Sequence, residues 1–174
     1  DVQLHFVIGK LVDHGRKTVL GHGHSCHVCL LQPVSRGSVQ LASGDPRALP
    51  LVDPNFLGER ADMDRMVHGF RRMQEILAQP ALARYGTAPV LESDAEIEAF
   101  IRQHADTIYH PVGSCRMGPG PLDVVDSQLC VHGLEGLRVV DASVMPRIVS
   151  GNTNAPTVMI AEKAVDLLRA THGP

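Results

Sequence analysis

Apolar and polar residues alternate along the first part of the chain and recur at helical spacing further on. From Val2 to Ile8 every second residue is apolar, which is the period of a half-buried strand. Residues 27–32 and 38–41 are two further predicted strands, and the short PVSRG connection between them predicts that they pair as a hairpin. Residues 50–57 form a predicted extended segment that is interrupted by Pro54.

Three helices are predicted beyond this region. Apolar residues recur at helical spacing over 61–79, a capping box of Ser93 and Glu96 marks a second helix start, and the last helix is predicted over 155–170. One face of the last helix carries Val158, Ala161, Val165 and Leu168. The LRVVD segment at 137–141 is predicted to end a strand. This order of elements predicts an α+β fold, a largely antiparallel sheet packed with helices, as a single domain over residues 1–174.

Composition and charge exclude several classes of protein. The 174 residues are 44% hydrophobic and 20% charged, and the formal net charge is −3 without any run of basic residues, so a nucleic-acid-binding surface is not expected. No apolar run has the length of a transmembrane segment. The four cysteines do not form a disulfide framework, so we expect reduced thiols in a cytoplasmic protein. Because the chain opens in the middle of a predicted strand and without Met, we expect a fragment of a longer polypeptide.

The segment GHGHSCHVC at 21–29 contains four possible zinc ligands: His22, His24, Cys26 and Cys29. A strong zinc motif needs a second ligand pair, whereas Cys115 and Cys130 are far apart in the sequence. Alternation along a strand would also place Cys29 on the face opposite Cys26. We therefore predict no metal site, and keep a small zinc-binding module as an alternative function.

The most informative loop is TIYHPVGSCRMG at 107–118. Pro111 restricts the backbone of His110 to extended conformations, so the imidazole leaves the chain in a limited range of directions. Gly113 and Gly118 allow the chain to turn sharply around it. This loop alone is equally typical of a histidine that only forms a hydrogen bond within a turn.

The C-terminal third adds two features. Small residues follow the predicted strand at 141–143 and would allow another group to approach the backbone closely. The segment SGNTNAPT then leads directly into the last helix, whose free N–H groups would favour an anionic or electron-rich partner. A capping role would explain Asn154, but it leaves Gly151 and Asn152 unexplained.

Taken together, YHPVGSCRMG (109–118), GLRVVDASVMP (136–146) and GNTNAPTVMIAEKAVDLL (151–168) resemble the C-terminal signature of the glucose–methanol–choline flavoprotein oxidoreductases. The resemblance is strongest to the choline-dehydrogenase-like branch, and it extends upstream to SRG (35–37) and DPNF (53–56). It implies an FAD-dependent enzyme that oxidises a primary alcohol to an aldehyde by hydride transfer to flavin N5.

The resemblance also implies roles for individual residues. His110 matches the active-site base, and Asn152 matches the position that hydrogen-bonds the substrate oxygen. Asp141 and Ala142 match the segment along the ribityl and phosphate chain of FAD. Thr153 and Asn154 match the segment at the pyrimidine edge of the isoalloxazine.

The family binds FAD mainly through an N-terminal unit with a GxGxxG loop, and no GxGxxG occurs in this chain. We therefore expect an N-terminal FAD-binding half of the same polypeptide as a partner, with the final helix docking on it. The isolated chain is expected to bind FAD weakly or not at all and to be inactive. An aromatic content of 3% argues mildly for an uncharged alcohol over choline, because quaternary ammonium groups are often held by aromatic cages. Dehydrogenase and oxidase are not distinguished, and a non-catalytic interaction domain is a further alternative.

Overall fold

The computed structural model describes residues 2–13, 16–86 and 90–172. The chain divides into two compact units. The first unit comprises Asp1–Gly37 and Pro54–Ile108, and the second comprises Ser38–Asp53 and Tyr109–Pro174. All three motif blocks at 109–118, 136–146 and 151–168 therefore belong to the second unit.

The first unit is built on an antiparallel pair of strands, β1 (Val2–Val7) and β4 (Ser25–Leu30), with Val2 opposite Leu30. The short strands β2 (Leu11–Val12) and β3 (Lys17–Thr18) form a second antiparallel pair between them. Three helices follow: α1 (Arg60–Leu77), α2 (Pro80–Ala83) and α3 (Asp94–His104). Strand alternation and helical periodicity thus located β1, β4 and α1 to within two residues, whereas β2, β3 and α2 were not predicted.

The second unit contains the strands β5 (Ser38–Gln40) and β6 (Leu51–Asp53), which pair antiparallel with each other. The prediction that 27–32 and 38–41 form a hairpin is therefore wrong, because β4 pairs with β1. The connection at 33–37 does not turn back as a hairpin, since the backbone N–H groups of Val34 and Ser35 donate to the Asp62 carboxylate of α1.

Helix α1 packs closely on the β1–β4 pair because Gly69 has no side chain. A Cβ atom at this position would lie 2.8 Å from Cγ1 of Val28 and 3.2 Å from Cγ1 of Val2. The other side of α1 packs against α3 through a buried apolar cluster of Met63, Val67, Ile97 and Ile101. The predicted capping box of α3 is confirmed: Glu96 N donates to Ser93 Oγ at 3.2 Å, and Ser93 N donates to Glu96 Oε2 at 2.9 Å.

In the second unit the chain is largely irregular between Tyr109 and the last helix, α4 (Asn154–His172). A 3₁₀ helix at Ala142–Val144 interrupts it. The strand predicted at 137–141 is wrong, because only Arg138 forms a bridge there, to Cys130. Irregular backbone is stable here because a buried cluster holds it together, made of Val125, Leu129, Val144 and Ala164.

The α+β class is confirmed, but the described residues contain three two-stranded antiparallel sheets and not one large sheet. The predicted apolar face of the last helix is exposed at Val158, Ala161, Val165 and Leu168. Helix α4 instead packs on the core of its unit through Ile160, Ala164 and Leu167. Within the described residues, no helix is both long enough and apolar enough to cross a membrane.

Candidate active site

His110 lies in an irregular segment of the second unit and is half-buried. The preceding residue, Tyr109, has a φ of +65°. For a residue with a bulky side chain this left-handed conformation costs about 1–2 kcal/mol, so the surrounding contacts must hold it. Pro111 further restricts the backbone of His110 to extended conformations.

Backbone hydrogen bonds tie the histidine loop to the DASVM segment. Cys115 N donates to Ser143 O at 3.1 Å, and Met117 N donates to Val144 O at 2.9 Å. Gly113 has a φ of +87°, and a Cβ atom added to it would lie 3.4 Å from the carbonyl oxygen of Met145. Glycine at 113 is thus required by a left-handed backbone conformation, as its position in the loop predicted.

A salt bridge that sequence reasoning missed supports the far end of this loop. Arg116 Nε donates to Asp123, whose Oδ2 also accepts from Gly120 N at 2.7 Å. The hydrogen bond from Arg116, and to a smaller extent that from Gly120, lowers the pKa of the Asp123 carboxyl group below its usual range. Gly118 is required for a different reason from Gly113, because a Cβ atom at 118 would overlap this carboxylate.

Two residues flank the imidazole of His110, and both come from the motif block at 151–168. His110 Nε2 lies 2.7 Å from Asn152 Nδ2, and His110 Nδ1 lies 2.9 Å from Thr153 Oγ1. Because the amide nitrogen of Asn152 can only donate, Nε2 accepts, and the ring proton lies on Nδ1. His110 N–H at Nδ1 therefore donates to the Thr153 hydroxyl, which leaves the lone pair of Nε2 on the Asn152 side.

The start of α4 places Asn152 and Thr153. The backbone carbonyl of Thr153 accepts from Thr157 N at 3.0 Å, so Thr153 occupies the position immediately before the helix. Asn154 is the first helical residue and is exposed, so it does not occupy the capping position. The first turn of α4 contains no acidic residue, and its positive dipole end is not neutralised by the helix itself.

Asp141 and Ala142 are positioned by the 3₁₀ helix. Asp141 Oδ1 accepts from Ser143 N at 2.7 Å and caps this helix, while the Asp141 side chain remains exposed. Ala142 is half-buried. Since residues 143 and 144 bond to the histidine loop, these two residues lie on the segment that anchors the loop.

The Cys- and His-rich segment packs as part of a strand. Cys26 pairs with Phe6 and Cys29 with Gln3, so the two thiols point to opposite faces of the β1–β4 pair. Burial raises the pKa of both thiols, which makes them poor nucleophiles near neutral pH. Within the described part of the chain, no group of three or more His, Cys, Asp and Glu side chains is arranged to hold a metal ion.

Two open surface depressions lie on the first unit, whereas the motif blocks belong to the second. One, of about 510 Å³, is lined by Val2, Asp64, Arg65 and His68. The other, of about 200 Å³, is lined by several of the same residues together with Arg60, Val67, Arg71 and Asp94. Both are open and include charged side chains in their walls, whereas a small-molecule site is usually an enclosed concave pocket that buries most of its ligand. The hydrogen-bonded group around His110 is the stronger candidate.

Comparison with known proteins identifies the family. The family model described as GMC oxidoreductase matches residues 33–161, which include all three hydrogen-bonded residues at 110, 152 and 153. The chain belongs to the GMC oxidoreductase family.

Relatives of this GMC chain are alcohol and choline dehydrogenases. It is 47% identical over 173 residues to an alcohol dehydrogenase [acceptor] from Pseudomonas putida, covering 97% of this chain and 31% of the relative. It is 45% identical over 174 residues to an oxygen-dependent choline dehydrogenase from Chromohalobacter salexigens, again covering 97% of this chain and 31% of the relative. The GMC chain thus spans about 31% of the length of the relatives it matches, in their C-terminal part.

Solved structures agree with this assignment. The GMC chain superposes on pyridoxine 4-oxidase from Mesorbium loti with a TM-score of 0.88 at 28% identity, covering 98% of this chain and 35% of that one. It superposes on formate oxidase from Aspergillus oryzae, a protein studied for its FAD modification, with a TM-score of 0.78 at 30% identity, covering 90% and 29% of the two chains. The resemblance found in the sequence is confirmed, and the zinc-module alternative is not favoured.

Proposed function

We propose that this chain is the C-terminal, substrate-side part of an FAD-dependent oxidoreductase that converts a primary alcohol to an aldehyde. The observation that carries the proposal is the direct contact between His110 Nε2 and Asn152 Nδ2 at 2.7 Å. These residues are 42 positions apart, and both belong to the sequence blocks that define the family resemblance.

His110 is proposed to take the hydroxyl proton of the alcohol. With the ring proton on Nδ1, the lone pair of Nε2 is available, and an imidazole is a suitable base near neutral pH. Because His110 is half-buried and Asn152, its partner at Nε2, is exposed, a substrate hydroxyl is proposed to approach Nε2 from this side. FAD, when bound, would supply the acceptor at N5 for the hydride that leaves the alcohol carbon.

Asn152 is proposed to hold the substrate oxygen. Its side-chain amide donates a hydrogen bond without competing for the proton, and negative charge develops on this oxygen as the proton leaves. Without substrate, the Asn152 amide donates to Nε2 of His110. On binding, the alcohol would insert between the two side chains, accepting from the Asn152 amide and donating its hydroxyl proton to Nε2. Asn152 is exposed, which permits this exchange.

The residues proposed for the cofactor side are Asp141, Ala142, Thr153 and Asn154. The start of α4 fits an electron-rich ring edge, because its first turn lacks acidic side chains and its N–H groups are directed away from the helix. The segment that is hydrogen-bonded to the histidine loop precedes this helix and contains the exposed Asp141 and the small Ala142. These residues would contact FAD that is held chiefly by another part of the polypeptide.

Helix α4 is proposed to dock on that part, within a single C-terminal domain. The exposed apolar residues of its unpacked side support this docking: Val158, Met159, Val165 and Leu168. The isolated chain is accordingly expected to retain little FAD and to be inactive. Copurification of stoichiometric, spectrally visible flavin with the chain alone would contradict this expectation.

The substrate is proposed to be an uncharged primary alcohol. The chain has no Trp and only two Tyr, so it contributes little to an aromatic cage for a quaternary ammonium group. The relatives at 47% and 45% identity are named for an alcohol and for choline, respectively. Comparing kcat/KM for choline and for an uncharged primary alcohol of similar size distinguishes the two classes.

The test of the proposed mechanism is His110→Ala in the full-length polypeptide. Loss of a general base is expected to lower kcat by about 10²–10⁴-fold. His104→Ala is the matched control, since His104 is an exposed histidine at the end of α3. FAD content is measured for each variant, so that loss of cofactor is separated from loss of chemistry. Near-normal turnover by a flavin-loaded His110→Ala variant would refute the assigned role.

A further inference from the structure

Thr153 is buried, and its hydroxyl contacts the ring of His110. Only 7% of its surface is exposed, and Oγ1 lies 2.9 Å from Nδ1, on the side of the imidazole opposite Asn152. Asn152, by contrast, is exposed. The imidazole is therefore held between one buried and one exposed polar partner.

The sequence explains why this hydroxyl is free to contact His110. A threonine in the position before a helix usually accepts a hydrogen bond from the N–H of the second or third helical residue. Here the third helical residue is Pro156, which has no N–H. The first turn of α4 thus withholds one of the usual partners of the Thr153 side chain, and the hydroxyl instead meets Nδ1.

We propose that Thr153 is a positioning residue that orients the His110 imidazole and, together with Asn152, favours its Nδ1–H tautomer. This proposal rests on the proposed function of His110 as the base. The hydroxyl accepts from Nδ1–H when the ring is neutral, and it still accepts from Nδ1–H after Nε2 has taken the substrate proton. The same hydrogen bond therefore serves both protonation states, and the ring does not have to rotate during proton transfer.

The exposed amide of Asn152 cannot fix the tautomer by itself. In one orientation the amide nitrogen donates to a bare Nε2. After rotation by half a turn, the amide oxygen accepts equally well from a protonated Nε2. With Nε2 protonated, His110 could not accept the alcohol proton. The Thr153 hydroxyl can likewise donate or accept, so the two partners act together: Asn152 donates to Nε2, and Thr153 accepts from the proton on Nδ1.

The test compares Thr153→Val with Thr153→Ser in the full-length, FAD-loaded enzyme. Valine keeps the shape and removes the hydroxyl, whereas serine keeps the hydroxyl. Loss of one net hydrogen bond is expected to reduce kcat of Thr153→Val by about 3- to 10-fold with little change in KM, and Thr153→Ser is expected to restore most of kcat. Thr171→Val removes a hydroxyl near the other end of α4, bonded to Leu167 O at 2.8 Å, and is expected to leave kcat unchanged.

A spectroscopic measurement tests the tautomer independently of turnover. In the full-length protein labelled with ¹⁵N at the histidine rings, the signals of His110 are identified by their loss in His110→Ala. The wild type is expected to show a protonated Nδ1 and a bare Nε2. Thr153→Val is expected to show a mixture of the two tautomers.

Several outcomes would overturn the proposal. If Thr153→Val has the kcat of the wild type and an unchanged Nδ1–H signal, the hydroxyl does not position His110, even if His110→Ala is inactive. Equal losses in the valine and serine variants would assign the effect to packing. A protonated Nε2 in the wild type would contradict the tautomer directly. If His110→Ala is active, the proposed function fails, while the nitrogen signals still report whether Thr153 orients the ring.

Discussion

Replacing Asp62 by asparagine is expected to loosen the first unit at one identifiable point, the connection at 33–37. Asp62 is 0% exposed and is the only charged side chain among the buried residues that the structure describes. Its carboxylate accepts from Val34 N at 3.0 Å, from Ser35 N at 2.7 Å and Oγ at 2.5 Å, and from Arg65 Nη2 at 2.6 Å. One buried anion thus satisfies four donors.

The magnitude follows from the chemistry of the amide. Asparagine keeps one acceptor oxygen and replaces the other by an NH₂ group, which faces donors and cannot accept. Hydrogen bonds to a charged group contribute about 1.5–3 kcal/mol each, so losing two of them predicts a local destabilisation of about 3 kcal/mol or more. Since about 1.4 kcal/mol corresponds to a factor of ten, amide exchange at Val34 and Ser35 should accelerate by about 100-fold.

Hydrogen exchange with mass spectrometry on peptides that cover 33–37 measures this directly in the full-length protein. Asp64→Asn is the matched control, with the same change of charge two residues along α1. The Asp64 side chain is 57% exposed and paired with Arg60, and exposed ion pairs contribute little. Exchange at 33–37 should therefore stay close to that of the wild type in this variant.

The acid dependence gives a second check on the same group. Burial opposes ionisation of Asp62, but hydrogen bonds from Ser35, Val34 and Arg65 outweigh it and lower the pKa of this carboxyl below the ordinary 3.8. A lowered pKa means that the stabilisation is present above pH 3.8 and is lost as the pH falls through the folded-state value. If amide exchange at 33–37 changes neither in Asp62→Asn nor as the pH falls below 3.8, the reasoning is refuted.

Two further changes test the helices of the first unit. Gly69→Ala is expected to destabilise α1 by about 1–3 kcal/mol, since the new Cβ would lie 2.8 Å from the stiff Val28 side chain. This steric cost outweighs the gain of roughly 1 kcal/mol that alanine otherwise gives over glycine in a helix. Gly44→Ala, with nothing within 4 Å of its Cβ, is the control, and local exchange in α1 is the measurement. Ser93→Ala is expected to destabilise α3 by about 1 kcal/mol, and Ser93→Asn far less, because asparagine can also cap a helix. Hydrogen exchange that is accelerated equally at the start of α3 in both variants would contradict this.

Local patterns predicted the helices well. The long helices were expected over 61–79 and 155–170 and lie at Arg60–Leu77 and Asn154–His172, and the capping box of α3 was located to the residue. Helices follow local patterns because their hydrogen bonds and caps join residues three or four apart. The family was likewise predictable, since three linked motif blocks keep their order and spacing along the chain.

The sheet pairing and the packed face of α4 were not predictable in this way. The partner of β4 is β1, which is separated from it in the chain by residues 8–24, and a strand pattern carries no information about which other strand it will pair with. Likewise α4 is apolar on more sides than its own unit buries, so its periodicity could not identify the side that contacts Val125 and Val144.

The sequence by itself determined the three long helices, the family and the identity of the residues that carry the proposed chemistry. Only the tertiary structure decided that the Thr153 hydroxyl faces Nδ1 of His110, 43 residues away, and that Asp62 satisfies the donors at 34 and 35. These contacts join groups that are distant in the chain, and their geometry depends on how all the intervening segments pack. A side chain's type sets which hydrogen bonds it can form, whereas the fold determines which partner it meets.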